Sequence, residues 1–124
     1  NDLRELALTD RPAAQRIAAF LQQAKSDPRI LDTLTDHAFG DDRSADYNVS
    51  RWQELWREGF NLWRLKFWQD PSGSLPYRVI YAYDPKTQHY HVLAIAPRSF
   101  NYDASHPIAV RLVNAYKSIG ITIH

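Results

Sequence analysis

Asn61-Leu62-Trp63-Arg64-Leu65-Lys66-Phe67-Trp68 is the stretch from which the fold can be read. Leu62, Arg64, Lys66 and Trp68 alternate with Trp63, Leu65 and Phe67, which is the two-residue period of a strand. The apolar set belongs on a core, and Trp63 between Leu65 and Phe67 reads as packing rather than as a base-stacking platform. The other set carries two cations. In a strand, Arg64 and Lys66 point to the same face about 7 Å apart, a spacing suited to a polyanion.

Working outward toward the C-terminus, Asp70-Pro71-Ser72-Gly73 is turn chemistry. A second strand over 76–83 then puts Tyr77, Val79, Tyr81 and Tyr83 against Arg78, Ile80 and Ala82. Asp84-Pro85-Lys86 turns again. A third strand over 89–96 sets His89, His91, Leu93 and Ile95 against Tyr90, Val92, Ala94 and Ala96. Short connections make these three strands an antiparallel meander. A polar, aromatic loop from Arg98 to His106 follows. Pro107 opens a closing helix with Ile108, Leu112, Ala115, Tyr116 and Ile119 on one side and Gly120 as its stop.

Working back toward the N-terminus, Ser50 and Gln53 offer a capping box for a short helix through Trp52, Leu55 and Trp56. Residues 40–46 read as an exposed acidic loop. A helical hairpin is expected over 11–39, started by Asp10 and Pro12 and restarted by Asp27-Pro28. Its faces carry Ile17, Phe20, Leu21 and Ala24, then Ile30, Leu31 and Leu34. Leu6-Ala7-Leu8 reads as the start of a strand. The expected fold is therefore α+β: an N-terminal helical hairpin packed on an antiparallel sheet, with a C-terminal helix, in one domain over 1–124.

Composition agrees with a single packed domain of 124 residues, 44% hydrophobic and 13% aromatic. The absence of Cys excludes disulfides, thiol catalysis, iron–sulfur clusters and Cys-based zinc sites. The reduced cytoplasm is the expected compartment. No apolar run approaches the ~20 residues that span a bilayer, so no membrane partner is expected. Asn1 carries no signal-peptide pattern and is not an initiator Met, which leaves open a leader removed before it. The net charge of +1 hides a gradient: residues 1–46 hold nine acids and six bases, whereas residues 47–124 hold five acids and nine bases. Positive charge confined to one half can meet a polyanion locally.

Arg78, one hairpin from Arg64 and Lys66, joins their face if the register allows. Arg98 follows the third strand and Tyr102 lies four residues on. Four cations from adjacent strands with an aromatic at the rim would stabilise growing phosphate charge and stack a base. The alternative is an ordinary solvated sheet face. His89 and His91 share a face at metal-ligand spacing, but no third ligand lies nearby in sequence, and neither a metal nor another cofactor is expected. Phosphate-binding Gly-rich loops and nucleophilic Ser/His patterns are absent.

Gly59-Phe-Asn-Leu-Trp-Arg-Leu-Lys66, then Pro76-Tyr-Arg-Val-Ile-Tyr-Ala-Tyr-Asp84, then Val92-Leu-Ala-Ile-Ala-Pro-Arg98 resemble the core of the RelE/ParE superfamily of bacterial toxins. The resemblance covers 60–100 well and 6–39 loosely, with 40–58 looking like an extension of the smaller members. RelE-like members are metal-independent endoribonucleases that cut messenger RNA on the ribosome by attack of a ribose 2′-hydroxyl on the adjacent phosphate. ParE-like members poison DNA gyrase and lack the basic cluster. Carried over residue by residue, the resemblance implies a site of Arg64, Lys66, Arg78, Arg98 and Tyr102. Retention of all four cationic positions favours the RNA-cleaving branch, with a cognate antitoxin, the ribosome and mRNA as partners. A gyrase poison and a noncatalytic member are the rivals.

Arginine is too basic to deprotonate a hydroxyl. Arg64, Arg78 and Arg98 are therefore assigned charge stabilisation, Lys66 a positioning or proton-transfer role, and Tyr102 base stacking. Asp103 and His106 are candidates for general base and acid. Equally, Asp103, Ser105 or His106 serves as the cap of the helix at Pro107. Trp56 and Trp68 are candidates for an exposed antitoxin contact.

Overall fold

The period-two stretches pair into a four-stranded antiparallel sheet in the computed structural model, which describes residues 2–41, 47–67, 77–97 and 106–121. In chain order the elements are α1 (Asp2–Thr9), α2 (Arg11–Ser26), α3 (Pro28–Thr33), β1 (Tyr47–Arg51), α4 (Gln53–Arg57), β2 (Leu62–Phe67), β3 (Tyr77–Asp84), β4 (His89–Pro97) and α5 (Pro107–Ile119). The strands lie in the order β1-β2-β3-β4. The α+β architecture with flanking helices is as the sequence indicates.

Each sheet face has its own core. Val49, Trp63, Leu65, Phe67, Val79 and Tyr81 face the N-terminal helices, meeting Leu6, Ala13, Ala14, Ile17 and Leu34. The opposite face offers Leu62, Ile80, Ala82, Ala94 and Ala96 to Ala109, Leu112 and Tyr116 of α5. Alanines at this contact let a helix approach the sheet closely, and Ala82 and Ala109 are fully buried. The alternation read for β2 and β3 is the alternation observed.

Local chemistry starts and stops the helices. The Asp10 carboxylate accepts from the Ala13 amide, and the Asp27 carboxylate accepts from Arg29, each followed by a proline in the first turn. Gly120, at φ 84°, ends α5 in the left-handed conformation that favours glycine. The carbonyls of Leu31 and Leu34, near the C-terminal end of α3, are satisfied by the hydroxyls of Tyr90 (2.8 Å) and Tyr81 (2.7 Å). Those two bonds tie α3 to the sheet.

Several expectations need correction. Leu6-Ala7-Leu8 is the last part of helix α1, not a strand: Leu6 is buried while Leu8 is 85% exposed, and α1 packs along α2. Three apolar residues are too few to carry a period. The second hairpin helix stops at Thr33, and residues 34–41 turn back along β1. Ser50 does not cap a helix. It lies in β1, and α4 begins behind Trp52 without a side-chain cap, held instead by burial of Trp52 and Leu55. The 40–58 stretch thus supplies an outer strand of the sheet and three core residues, Val49, Trp52 and Leu55.

β4 departs from strict alternation. Ile80 pairs with Ala94 but Tyr81 pairs with Val92, so Leu93 is an extra residue, a β-bulge that shifts the phase. His89 and His91 therefore share the α5 face with Ala94 and Ala96, whereas Tyr90 and Ile95 pack on the other side.

Candidate functional site: a basic hollow on one face of the sheet

β2 sits between β1 and β3, and its register sets the site. Lys66 lies opposite Asn48 on one side and Arg78 on the other, while Arg64 lies opposite Ser50 and Ile80. All five polar side chains thus share the face that α5 covers at its other end. They line one hollow of about 50 Å³. Arg64, Lys66 and Arg78 therefore converge as the alternation implied.

The hollow is built rather than incidental. The Arg64 Nε–H donates to Ser50 Oγ at 2.7 Å, which fixes the root of the guanidinium. Asn48, only 9% exposed, donates from Nδ2 to the Phe39 carbonyl at 2.8 Å and to the Asp41 carboxylate. Those bonds anchor the turn behind β1. Gly40 makes that turn possible: at φ 80°, a Cβ there would collide with the Tyr47 carbonyl oxygen. Val49 completes the seam, its N–H donating to the Phe39 carbonyl and its C=O accepting from the Ala38 N–H, both at 2.9 Å.

Among the described residues, three cations and no carboxylate line the hollow. Such a site suits an anion with several oxygens, and Arg64 and Arg78 can each present two donors to it. It can also stabilise charge that grows on a phosphoryl group during reaction. Neither guanidinium can accept a proton.

His106 is placed at the N-cap of α5, where Nδ1 accepts from the Ile108 amide at 3.1 Å. It is a helix cap and does not line the hollow. Arg98, Tyr102 and Asp103 lie outside the described residues, as does Trp68. Trp63 is core, its Nε1–H donating to Asn61 Oδ1 at 2.6 Å. Trp56 is part-exposed as expected; it meets Trp63 edge-on at 5.4 Å, and the Arg51 guanidinium stacks over it at 4.3 Å. The His89 and His91 rings lie 6.4 Å apart. Among the described residues no group of three His, Cys, Asp or Glu is placed to hold a metal ion, and no helix is long and apolar enough to cross a membrane.

Sequence reasoning missed Asn48 and Ser50. The signal was present: Tyr47, Val49 and Arg51 alternate with these two polar residues. Larger grooves exist beside α2 and β4, one of about 490 Å³ lined by Leu21, Leu31, Tyr81, Tyr90 and Val92. They are mainly apolar and gather no comparable set of charged groups. Comparison of the chain with protein-family models, with curated proteins and with solved structures yields no match.

Proposed function

We propose that this protein is a RelE-like toxin of a toxin–antitoxin pair, a ribosome-dependent endoribonuclease that acts on messenger RNA. One observation carries the reading: Arg64, Lys66 and Arg78, from two strands, line one hollow on one sheet face. The resemblance of the strand sequences supports the family, and the cationic lining of the hollow supports its use as a phosphate site.

In this reading Arg64 and Arg78 grip the non-bridging phosphate oxygens, whose charge rises as the 2′-oxygen bonds to phosphorus. The bond to the 5′-oxygen breaks, leaving a cyclic phosphate and a 5′-hydroxyl. The 2′-hydroxyl gives up its proton and the departing 5′-oxygen gains one. Lys66, between the two arginine positions, orients the phosphate or hands on a proton. Protein side chains provide the positive charge, so the step asks for no metal. A cognate antitoxin would hold the toxin inactive in the cytoplasm.

Mapping RNA ends in a translating lysate tests the reading. Wild-type protein should create new ends within coding sequence, and Arg64→Ala with Arg78→Ala should abolish them, each change lowering the rate about 100-fold. Growth arrest that survives both changes and is accompanied by a DNA-damage response would replace the ribonuclease with a gyrase poison.

A further inference from the structure

We infer that Asn48 is a specificity residue that reads the ribose 2′-hydroxyl next to the phosphate held in the basic hollow, so that the site selects RNA over DNA. The inference rests on the nucleic-acid reading of the hollow given above.

Among the described residues Asn48 is the one buried residue that is neither apolar nor aromatic, and it lines the hollow opposite Lys66. Both of its Nδ2 hydrogens are committed, one to the Phe39 carbonyl and one to the Asp41 carboxylate. Those partners accept and do not donate, so chemistry alone orients the amide. Oδ1 is the polar atom that remains for a ligand. The rest of the lining has a different character. Arg64, Lys66 and Arg78 carry donor groups and no acceptor atom, and the Ser50 hydroxyl, which accepts from Arg64, has its own O–H to donate.

A phosphodiester offers oxygens that only accept. An amide oxygen beside them sets lone pair against lone pair and gains nothing. In RNA the neighbouring 2′-hydroxyl supplies the missing donor, whereas DNA has none. A cationic hollow with a fixed amide acceptor at its wall therefore matches a ribose phosphate better than it matches phosphate alone.

The test is fluorescence anisotropy at low salt with three oligonucleotides of one sequence free of U and T: RNA, DNA, and RNA bearing 2′-fluorine. Fluorine keeps an RNA-like sugar pucker but cannot donate. Wild-type protein should bind RNA about 2- to 10-fold more tightly than either analogue, the range expected of one net hydrogen bond. Asn48→Leu should bind all three within twofold of one another, near the wild-type affinity for DNA. Equal wild-type affinity for the three ligands overturns the inference, and that arm does not depend on how the variant folds. An RNA preference that persists in folded Asn48→Leu also overturns it. If binding in either case is still lost in Arg64→Ala, the basic hollow stands without the discrimination. Absence of salt-sensitive binding, or binding indifferent to Arg64→Ala, removes the nucleic-acid reading and the inference with it.

Discussion

Ser50 and Arg64 face one another across the β1–β2 ladder, and their 2.7 Å bond decides where the guanidinium can reach. Removing the hydroxyl frees the side chain to sample other rotamers. Ser50→Ala should weaken anion binding by about 3- to 10-fold while changing the unfolding free energy by no more than ~1 kcal/mol, as read by titration and urea denaturation. The three cations were legible because alternation in β2 and β3 is strict. Asn48 and Ser50 were not, because the residues around them read as loop and helix cap. A second residue-scale prediction concerns Tyr81. Burial pushes its hydroxyl well above the ordinary value of about 10, and the same cause raises Tyr90 and Tyr116. The unfolded chain therefore ionises first. Stability should be complete below pH ~10 and fall as pH rises toward the folded-state values. Thermal midpoints across alkaline pH should show that decline, with a shallower slope in Tyr81→Phe.

At the scale of elements, the turn over 36–41 and the strand β1 form one unit, joined through Val49 and Asn48. Gly40 is the position that cannot change. Its φ of 80° and the closeness of the Tyr47 carbonyl leave no room for a side chain. Gly40→Ala should cost about 1–3 kcal/mol in denaturant unfolding and should narrow the preference for RNA over DNA, since the turn holds Asn48. The helices α2, α3 and α5 and the strands β2 and β3 were legible because caps, prolines and periods agree there. β1 was hidden by its position between an acidic stretch and a short helix. The bulge at Leu93 left no trace either, since no glycine marks it. Alternation alone cannot reveal where a strand changes phase.

For the molecule as a whole, the sheet separates two cores, and α5 packs on the part of its face formed by Leu62, Ile80, Ala82, Ala94 and Ala96. Stability and binding therefore draw on different residues. Leu112→Ala, in the α5 core, should cost about 2–5 kcal/mol by denaturation yet leave nucleic-acid affinity within twofold in the folded fraction. The hollow's three cations set a second whole-molecule expectation. The logarithm of affinity for a single strand should fall with the logarithm of salt at a slope near −2, as for about three phosphate contacts. A slope close to zero would show that the charges do not meet the ligand. The α+β class followed from the order of periods along the chain, whereas the convergence of the cations needed a register that no linear reading supplies.

Outermost strands ordinarily leave alternate amides open to water, where they trade protons quickly and invite a neighbouring chain to zip on. In β1 two of those groups are occupied from within: the Val49 amide by the Phe39 carbonyl, and the Arg51 amide by the His37 ring at 3.0 Å. Deuterium labelling should accordingly find these two positions slow, out of character for a rim. Fibril growth by edge-to-edge stacking should find no foothold along this flank.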